Sequence, residues 1–271
     1  MDEVIIPSTG KIKLPSFLSL LKETWSFYAK YWQKFLMFLI WPLLFVFSGR
    51  LFFSLLSIFL LWLNGENQTI WFVVLNIIGI VLSLVFSLFL IFVSVNAYIA
   101  QLMFINDPSQ EVSLANLKNF WLNQTKPYFF KVFFASLIYG LLALLGLILL
   151  VVPGIVFIIF YGFVVFEIVL NQADIENSFN KSRNLVKNYW WPLFGKITLF
   201  FVLFLIIGTL IGSLFAGIVF LLNLLPTITI SSDSAEVFLD LLFDFLNLII
   251  TPISLIFTYF IYDNLKKIKN Q

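Results

Sequence analysis

The chain has 271 residues, of which 61% are hydrophobic and only 11% are charged, and its formal net charge is +2. Soluble domains carry about 25% charged residues, so this composition excludes a water-soluble fold. Cysteine and histidine are both absent, which excludes disulfides, thiolate or imidazole metal sites and a Ser-His-Asp triad. We therefore predict an all-α, polytopic integral membrane protein.

Residues 1–34 are predicted to form a cytoplasmic N-terminal region. They contain five lysines and no long apolar run, so they do not resemble a cleavable signal peptide. From Leu14 to Trp32, apolar side chains recur at helical spacing, while the charged side chains lie off that stripe. This pattern predicts an amphipathic helix in the headgroup region of the membrane. Weaker patterns of the same kind precede the third and fifth predicted spans.

Long uncharged stretches predict where the chain crosses the membrane. A helix needs about 20 mostly apolar residues to do so. Charges are absent from 67–106, 132–166, 197–232 and 245–262, and Pro153-Gly154 divides the second of these stretches. A further span, interrupted only by Arg50, precedes them. We predict a membrane domain over 35–265 whose six spans cover roughly 35–63, 70–98, 131–151, 155–171, 194–223 and 239–262.

Basic residues predict the orientation of these spans. Most of the lysines and arginines lie near the start of the first, third or fifth span or in the segment that leads into that span. Those in the basic tail over 266–271 follow the sixth span, and Arg50 is the one exception. The three remaining connections contain neither residue. Because lysine and arginine are retained on the cytoplasmic side, both termini are expected in the cytoplasm. We predict a multi-pass protein of the plasma (inner) membrane.

Aromatic and basic residues cluster before each span that enters from the cytoplasm. These clusters have two explanations. They mark a threefold repeat of an interfacial helix followed by a helical hairpin, or they are the belts that any such span acquires at the interface. Unequal spacings favour the second. Either way, the cytoplasmic face is predicted to contact lipid headgroups. The clusters are Tyr31-Trp32 with Lys34, Tyr128-Phe129-Phe130 with Lys131, and Tyr189-Trp190-Trp191 with Lys196.

The segment from residue 145 to 195 carries a more specific pattern. It contains Pro153-Gly154-Ile155, where proline fixes φ and glycine permits a positive φ. The pair predicts a tight turn between the third and fourth spans. The motifs that follow are Ser178-Phe179-Asn180-Lys181-Ser182, Leu185-Val186-Lys187-Asn188-Tyr189-Trp190-Trp191 and, near the end of the chain, Tyr262-Asp263-Asn264-Leu265.

This combination resembles the membrane domain found with some glycerophosphodiester phosphodiesterases and the related YciC-like bacterial membrane proteins. Their pattern has a Pro-Gly-Ile turn, an Ala-Leu-x-x-Ser element, a Leu-Val-Lys-Gly-x-Trp-Trp element and a closing Tyr-x-Asp-Leu-type stretch. The resemblance implies a bacterial six-helix bundle without an assigned activity. It implies no phosphodiesterase, because that activity belongs to a separate soluble domain. The chain departs from the pattern at Ser178, Phe179, Asn188 and Asn264.

Four ionisable side chains fall within or near the predicted spans: Arg50, Glu167, Asp240 and Asp244. A charge at the bilayer centre costs about 2.5–3.5 kcal/mol on insertion scales, so these groups are expected to face the bundle interior. Arg50 lies about 22 Å along the first span, in its outer half. We predict that it faces Asp244, with Asp240 nearer the outer interface and Glu167 isolated. The charge cluster is either a clamp between the first and last helices or a site for an anionic headgroup or a coupling ion.

Lys181, Arg183, Lys187 and Trp190 are the candidate headgroup contacts. They lie between the fourth and fifth spans, on the side that faces the anionic cytoplasmic leaflet. Each basic residue there contributes about 1 kcal/mol to attraction by such a surface. Two roles are open: plain anchoring of the chain at the interface, or recognition of a phosphate headgroup.

The leading functional hypothesis is a non-enzymatic membrane protein concerned with lipid or envelope organisation. It acts alone, binding lipid, or as the partner subunit of another membrane protein. The alternative is a small-molecule or ion transporter or channel, which needs a continuous polar path. The sequence contains no catalytic motif, phosphate-binding loop, dinucleotide fingerprint or metal-ligand spacing. No cofactor, metal or nucleic-acid partner is therefore expected.

Overall fold

A computed structural model describes residues 14–64, 70–224 and 232–269. The described residues are helical almost throughout and form no strand, in agreement with the predicted all-α class. They form a π-helical segment, Phe120–Thr125, and nine α-helices. In chain order the α-helices are α1 (Phe17–Asn64), α2 (Ile70–Asn106), α3 (Leu114–Asn119), α4 (Lys126–Leu149), α5 (Val151–Tyr161), α6 (Val164–Asn171), α7 (Ile175–Val186), α8 (Trp190–Asn223) and α9 (Ser232–Lys269).

Within the described ranges, five helical stretches are long and apolar enough to cross a membrane. This finding supports the prediction of a membrane protein, because a crossing requires about 20 mostly apolar residues. The predicted sixth span, 239–262, falls within α9, several of whose side chains lie outside the described part of the chain. The five stretches are Phe17–Phe59, Val73–Asn106, Asn116–Leu149, Val151–Asn171 and Trp190–Asn223.

The first helix combines two predicted elements. From Phe17 onward, the amphipathic stretch and the first span are parts of one continuous α-helix, α1. Its first turn is capped by Ser16, whose Oγ accepts a hydrogen bond from the Ser19 N–H at 3.2 Å. Pro42 lies inside α1 without ending it. The aromatic and basic residues around Trp32 therefore continue directly into the apolar helix.

The chain divides into two compact units. The first unit contains the described residues of Met1–Tyr28, Gly146–Phe163 and Phe179–Gln271. Its core includes Phe257, whose ring lies 4.4 Å from that of Phe200 and 5.9 Å from that of Phe17. The second half of α8, by contrast, exposes large apolar side chains, as expected for a surface that faces lipid.

The second unit contains Ala29–Leu145 and Val164–Ser178. Its core is centred on Phe104, near the end of α2. The rings of Tyr31, Phe35 and Phe38 lie 5.5, 5.8 and 5.9 Å from that of Phe104. The first half of α2 exposes most of its apolar side chains. Packing in this unit is therefore densest toward the end of α2 that precedes the lysine-bearing segment.

A tight chain reversal separates α4 from α5, and it lies three residues earlier than the predicted turn. Leu150 alone is non-helical and extended, while Pro153 and Gly154 lie in the first turn of α5. Proline is tolerated there because its missing N–H would have no helical partner. A Cβ added to Gly146 would lie 2.8 Å from the Gly154 Cα. In a continuous helix these two residues would be about 12 Å apart, so the glycines permit the reversal.

The predicted fourth span contains a break. Residues 162 and 163 form a turn between α5 and α6, which leaves backbone groups of the interrupted helix without their usual partners. The buried side chain of Ser182, on α7, provides replacement hydrogen bonds. Its hydroxyl donates to the Phe160 carbonyl at 2.8 Å and accepts from the Phe163 N–H at 3.2 Å. This predicted motif serine is thus a structural residue.

Candidate functional site

Helix α7 separates its apolar and cationic residues onto different faces. Ser178, Ser182 and Leu185 are buried, at the spacing of three to four residues that places side chains on one face of a helix. Lys181 and Arg183 on α7, and Lys187 immediately after it, are exposed. The three predicted headgroup cations are therefore presented at the surface, as contact with a phosphate requires.

The end of α9 adds further cations to this surface. The Lys269 Nζ donates to the Asn184 carbonyl at 2.8 Å, which joins the last turn of α9 to α7. Lys267 forms an ion pair with Asp263 at 2.6 Å, one turn earlier. Lys181 and Arg183 are two residues apart and lie on different sides of α7. We call the exposed residues Lys181, Arg183, Lys187 and Lys269 the α7–α9 cationic surface. The sequence predicted a basic tail, but nothing in its pattern connected that tail with α7.

Trp190 begins α8 and lies next to this surface. Its ring stacks on Phe194 at 5.7 Å and meets Trp191 edge-on at 4.3 Å. The Trp190 Nε1 is enclosed and has no hydrogen-bond acceptor in the described structure. Indole groups commonly lie at the membrane interface, where one side is apolar and the other meets headgroups. The geometry of Trp190 agrees with that placement.

Asp174 fixes the start of α7. Its carboxylate accepts a hydrogen bond from the Lys131 Nζ at 2.7 Å, and both side chains are substantially exposed. That hydrogen bond and the positive charge of Lys131 lower the pKa of Asp174 below its ordinary value. Because the folded pKa is lowered, the stabilisation is present above the unfolded pKa and is lost as pH falls through the folded pKa. Such an exposed pair contributes little to stability.

The predicted intramembrane charges occupy different environments. Glu167 is buried, and its Oε2 accepts a hydrogen bond from the Asn171 Nδ2 at 2.7 Å, one helical turn later. Arg50 is exposed and Asp244 is half-buried. Asp240 lies in α9, but its side chain is outside the described part of the chain. The pairing of Arg50 with Asp244 stays a prediction.

Two apolar crevices lie beside lysine side chains. One, in the first unit, has a volume of about 500 Å³ and is bordered by Lys22 and Trp25. The other, in the second unit, has a volume of about 610 Å³ and is bordered by Lys118, Trp121 and Lys126. Both volumes fall in the range of about 300–1,000 Å³ that is typical of ligand pockets. Neither crevice was predicted from the sequence.

Among the described residues, no three acidic side chains form a group that could hold a metal ion. No family model, curated protein or solved structure matches the chain.

Proposed function

We propose that this chain is a non-enzymatic membrane protein that binds anionic phospholipid headgroups and serves lipid or envelope organisation, alone or as a partner subunit. The α7–α9 cationic surface carries this proposal. Three exposed cations lie on or just after one short helix, and Lys269 is hydrogen-bonded to that helix. Clustered lysine and arginine residues beside membrane spans attract anionic lipids.

The proposal places this surface on the cytoplasmic leaflet of the plasma membrane. The positive-inside bias supports that orientation, because the connections without lysine or arginine are the first, third and fifth. It requires a sixth crossing, which we assign to α9. That helix has 38 residues and includes the uncharged run 245–262. It is about 57 Å long, well above the roughly 30 Å thickness of the bilayer core.

The interfacial part of the proposal concerns two segments. The start of α1 exposes Trp25 and Trp32, and α7 exposes its cations while burying Leu185 and Val186. Amphipathic helices with aromatic and basic residues lie in the headgroup region. The resemblance of residues 145–195 to YciC-like membrane proteins implies a helix bundle without an assigned activity and without a phosphodiesterase domain, which is compatible with the proposal.

Removing the charges of α7 is expected to weaken binding of anionic lipid. Each lysine or arginine contributes about 1 kcal/mol, or about fivefold in affinity. Native mass spectrometry of the full chain in mild detergent is expected to show dioleoyl phosphatidylglycerol bound in preference to dioleoyl phosphatidylcholine. Arg183→Gln should weaken this binding about fivefold, and replacing Lys181, Arg183 and Lys187 together by glutamine about 100-fold.

The matched control is Lys267→Gln, which removes an exposed lysine whose charge is already paired with Asp263 and should change binding less than twofold. Equal binding of the two lipids by the wild type would contradict the proposal. A triple variant that binds as many phosphatidylglycerol molecules as the wild type would contradict the assignment to α7. A chain that binds neither lipid would favour the transporter alternative, which solute and ion flux in liposomes would then test.

A further inference from the structure

The crevice in the second unit combines an apolar interior with cations. Five phenylalanine side chains from α1, α2 and α4 are among its eleven lining residues. Lys118 on α3 and Lys126 at the start of α4 border it. Both lysines are exposed, and no carboxylate is among the lining residues. The lining residues are Trp41, Phe45, Phe89, Phe92, Val93, Asn96, Lys118, Trp121, Lys126, Phe129 and Phe130.

The π-helical segment Phe120–Thr125 explains how Trp121 and Lys126 reach the same crevice. These residues are five apart, which in an α-helix would separate their directions by about 140°. A π-helix bonds each residue to the fifth along, so residues five apart lie nearly above one another. The Thr125 hydroxyl lies 2.6 Å from the Asn96 Oδ1, and this buried contact ties the segment to α2.

Trp121 gives the crevice a polar group in its apolar wall. The Trp121 Nε1 is enclosed and has no acceptor in the described structure. An enclosed N–H without an acceptor is unfavourable, so an oxygen that accepts from it would be bound well. Asn96 does not fill this role, because its Nδ2 donates to the Phe92 carbonyl at 2.8 Å and its Oδ1 meets Thr125.

We propose that this crevice binds one anionic phospholipid. An acyl chain lies among the phenylalanine rings, and headgroup oxygens accept hydrogen bonds from the Trp121 Nε1–H and the two lysines. Charge complementarity selects this occupant: two cations and an enclosed donor border an apolar cavity of about 610 Å³ without any acidic group. The crevice in the first unit is lined by one lysine, Lys22, whereas this crevice is lined by two. The inference rests on the proposed function and gives it a second, more selective site.

The test uses the full chain in mild detergent and measures quenching of Trp121 fluorescence by lipids with brominated acyl chains. Trp121 emission is read in a variant whose other seven tryptophans are replaced by phenylalanine. Each brominated lipid makes up one-tenth of the added lipid. Brominated phosphatidylglycerol should quench this emission at least threefold more than brominated phosphatidylcholine or brominated diacylglycerol. Replacing Lys118 and Lys126 by glutamine should abolish the preference, whereas Lys30→Gln should leave it unchanged.

Native mass spectrometry counts the bound lipids independently. Trp121→Phe, which keeps an aromatic ring but removes the N–H, should lose one tightly bound phosphatidylglycerol per chain. Equal quenching by all three lipids, or unchanged lipid counts in the crevice variants, would overturn the crevice proposal. If α7 variants lose phosphatidylglycerol while crevice variants do not, the crevice proposal fails and the proposed function stands. If the wild type shows no preference for phosphatidylglycerol by either method, both fail.

Discussion

Gly154→Ala is expected to destabilise the protein by about 1–3 kcal/mol, because the added methyl group has no space. A Cβ at this position would lie 2.6 Å from the Leu147 backbone nitrogen, and one at Gly146 would lie 2.8 Å from the Gly154 Cα. Backbone atoms on both sides of the reversal cannot move aside without opening it. Gly146→Ala should therefore have a similar effect. The unfolding temperature of both variants is measured in detergent, from the fraction of protein that stays monodisperse as the sample is heated.

Gly140→Ala and Gly208→Ala are the matched controls. Both glycines lie inside apolar helices, and a Cβ at either would meet no atom within 4 Å. Glycine in a helix interior is less favourable than alanine by about 0.5–1 kcal/mol, so these substitutions should leave stability unchanged or raise it slightly. A loss of stability at Gly140 equal to that at Gly154 would contradict the close approach at the reversal.

Ser182→Ala is expected to cost about 1–3 kcal/mol, because it removes the hydroxyl that accepts from the buried Phe163 N–H. The Phe160 carbonyl would lose its donor in the same change. The expected result is a lower unfolding temperature, measured in the same detergent assay. Ser182→Thr keeps the hydroxyl and should recover part of the loss.

Ser178→Ala provides the comparison for Ser182. Ser178 is equally buried on the same helix, but its hydroxyl donates only to the Ile175 carbonyl one turn earlier. Removing it should therefore cost less than removing the hydroxyl of Ser182. Equal losses of stability at the two positions would mean that Ser182 matters as a small buried side chain. They would contradict its role in bonding the backbone at the helix break.

Composition was sufficient to predict the helical membrane class. Uncharged stretches also located four of the five apolar helices closely, because exclusion of charge from hydrocarbon acts on sequence directly. The ends of those helices were less predictable. Lys126 and Trp190 lie inside helices, several residues before the predicted spans, since lysine and tryptophan at an interface do not end a helix.

The irregular backbone segments could not be predicted from the sequence pattern. Pro153-Gly154 suggested a turn, yet the chain reverses at Leu150, because proline fits the first turn of a helix as well as a loop. The π-helical segment around Trp121 and the break before Val164 have no turn signal that favours them over a continuous helix. Both depend on contacts distant in sequence, from Asn96 and Ser182 respectively.

The candidate site was also predictable only in part. Lys181, Arg183 and Lys187 were predicted because basic residues beside spans follow the positive-inside rule. The hydrogen bond from Lys269 to Asn184 was not, because residues 85 apart in the chain carry no local sign of contact. The crevice beside Trp121 was missed for a related reason. Its phenylalanine side chains look like any other lipid-facing residues until the helices are packed.

The central claim is that the cationic segments of this chain lie on the cytoplasmic leaflet, and single-cysteine labelling tests it most directly. The natural chain has no cysteine, so every label reports the introduced residue. An impermeant maleimide applied to intact cells should label Asn67→Cys and Ser231→Cys. It should label Glu111→Cys and Asn188→Cys only after the cells are opened. Labelling of Asn188→Cys from outside would place α7 on the wrong leaflet and contradict the account.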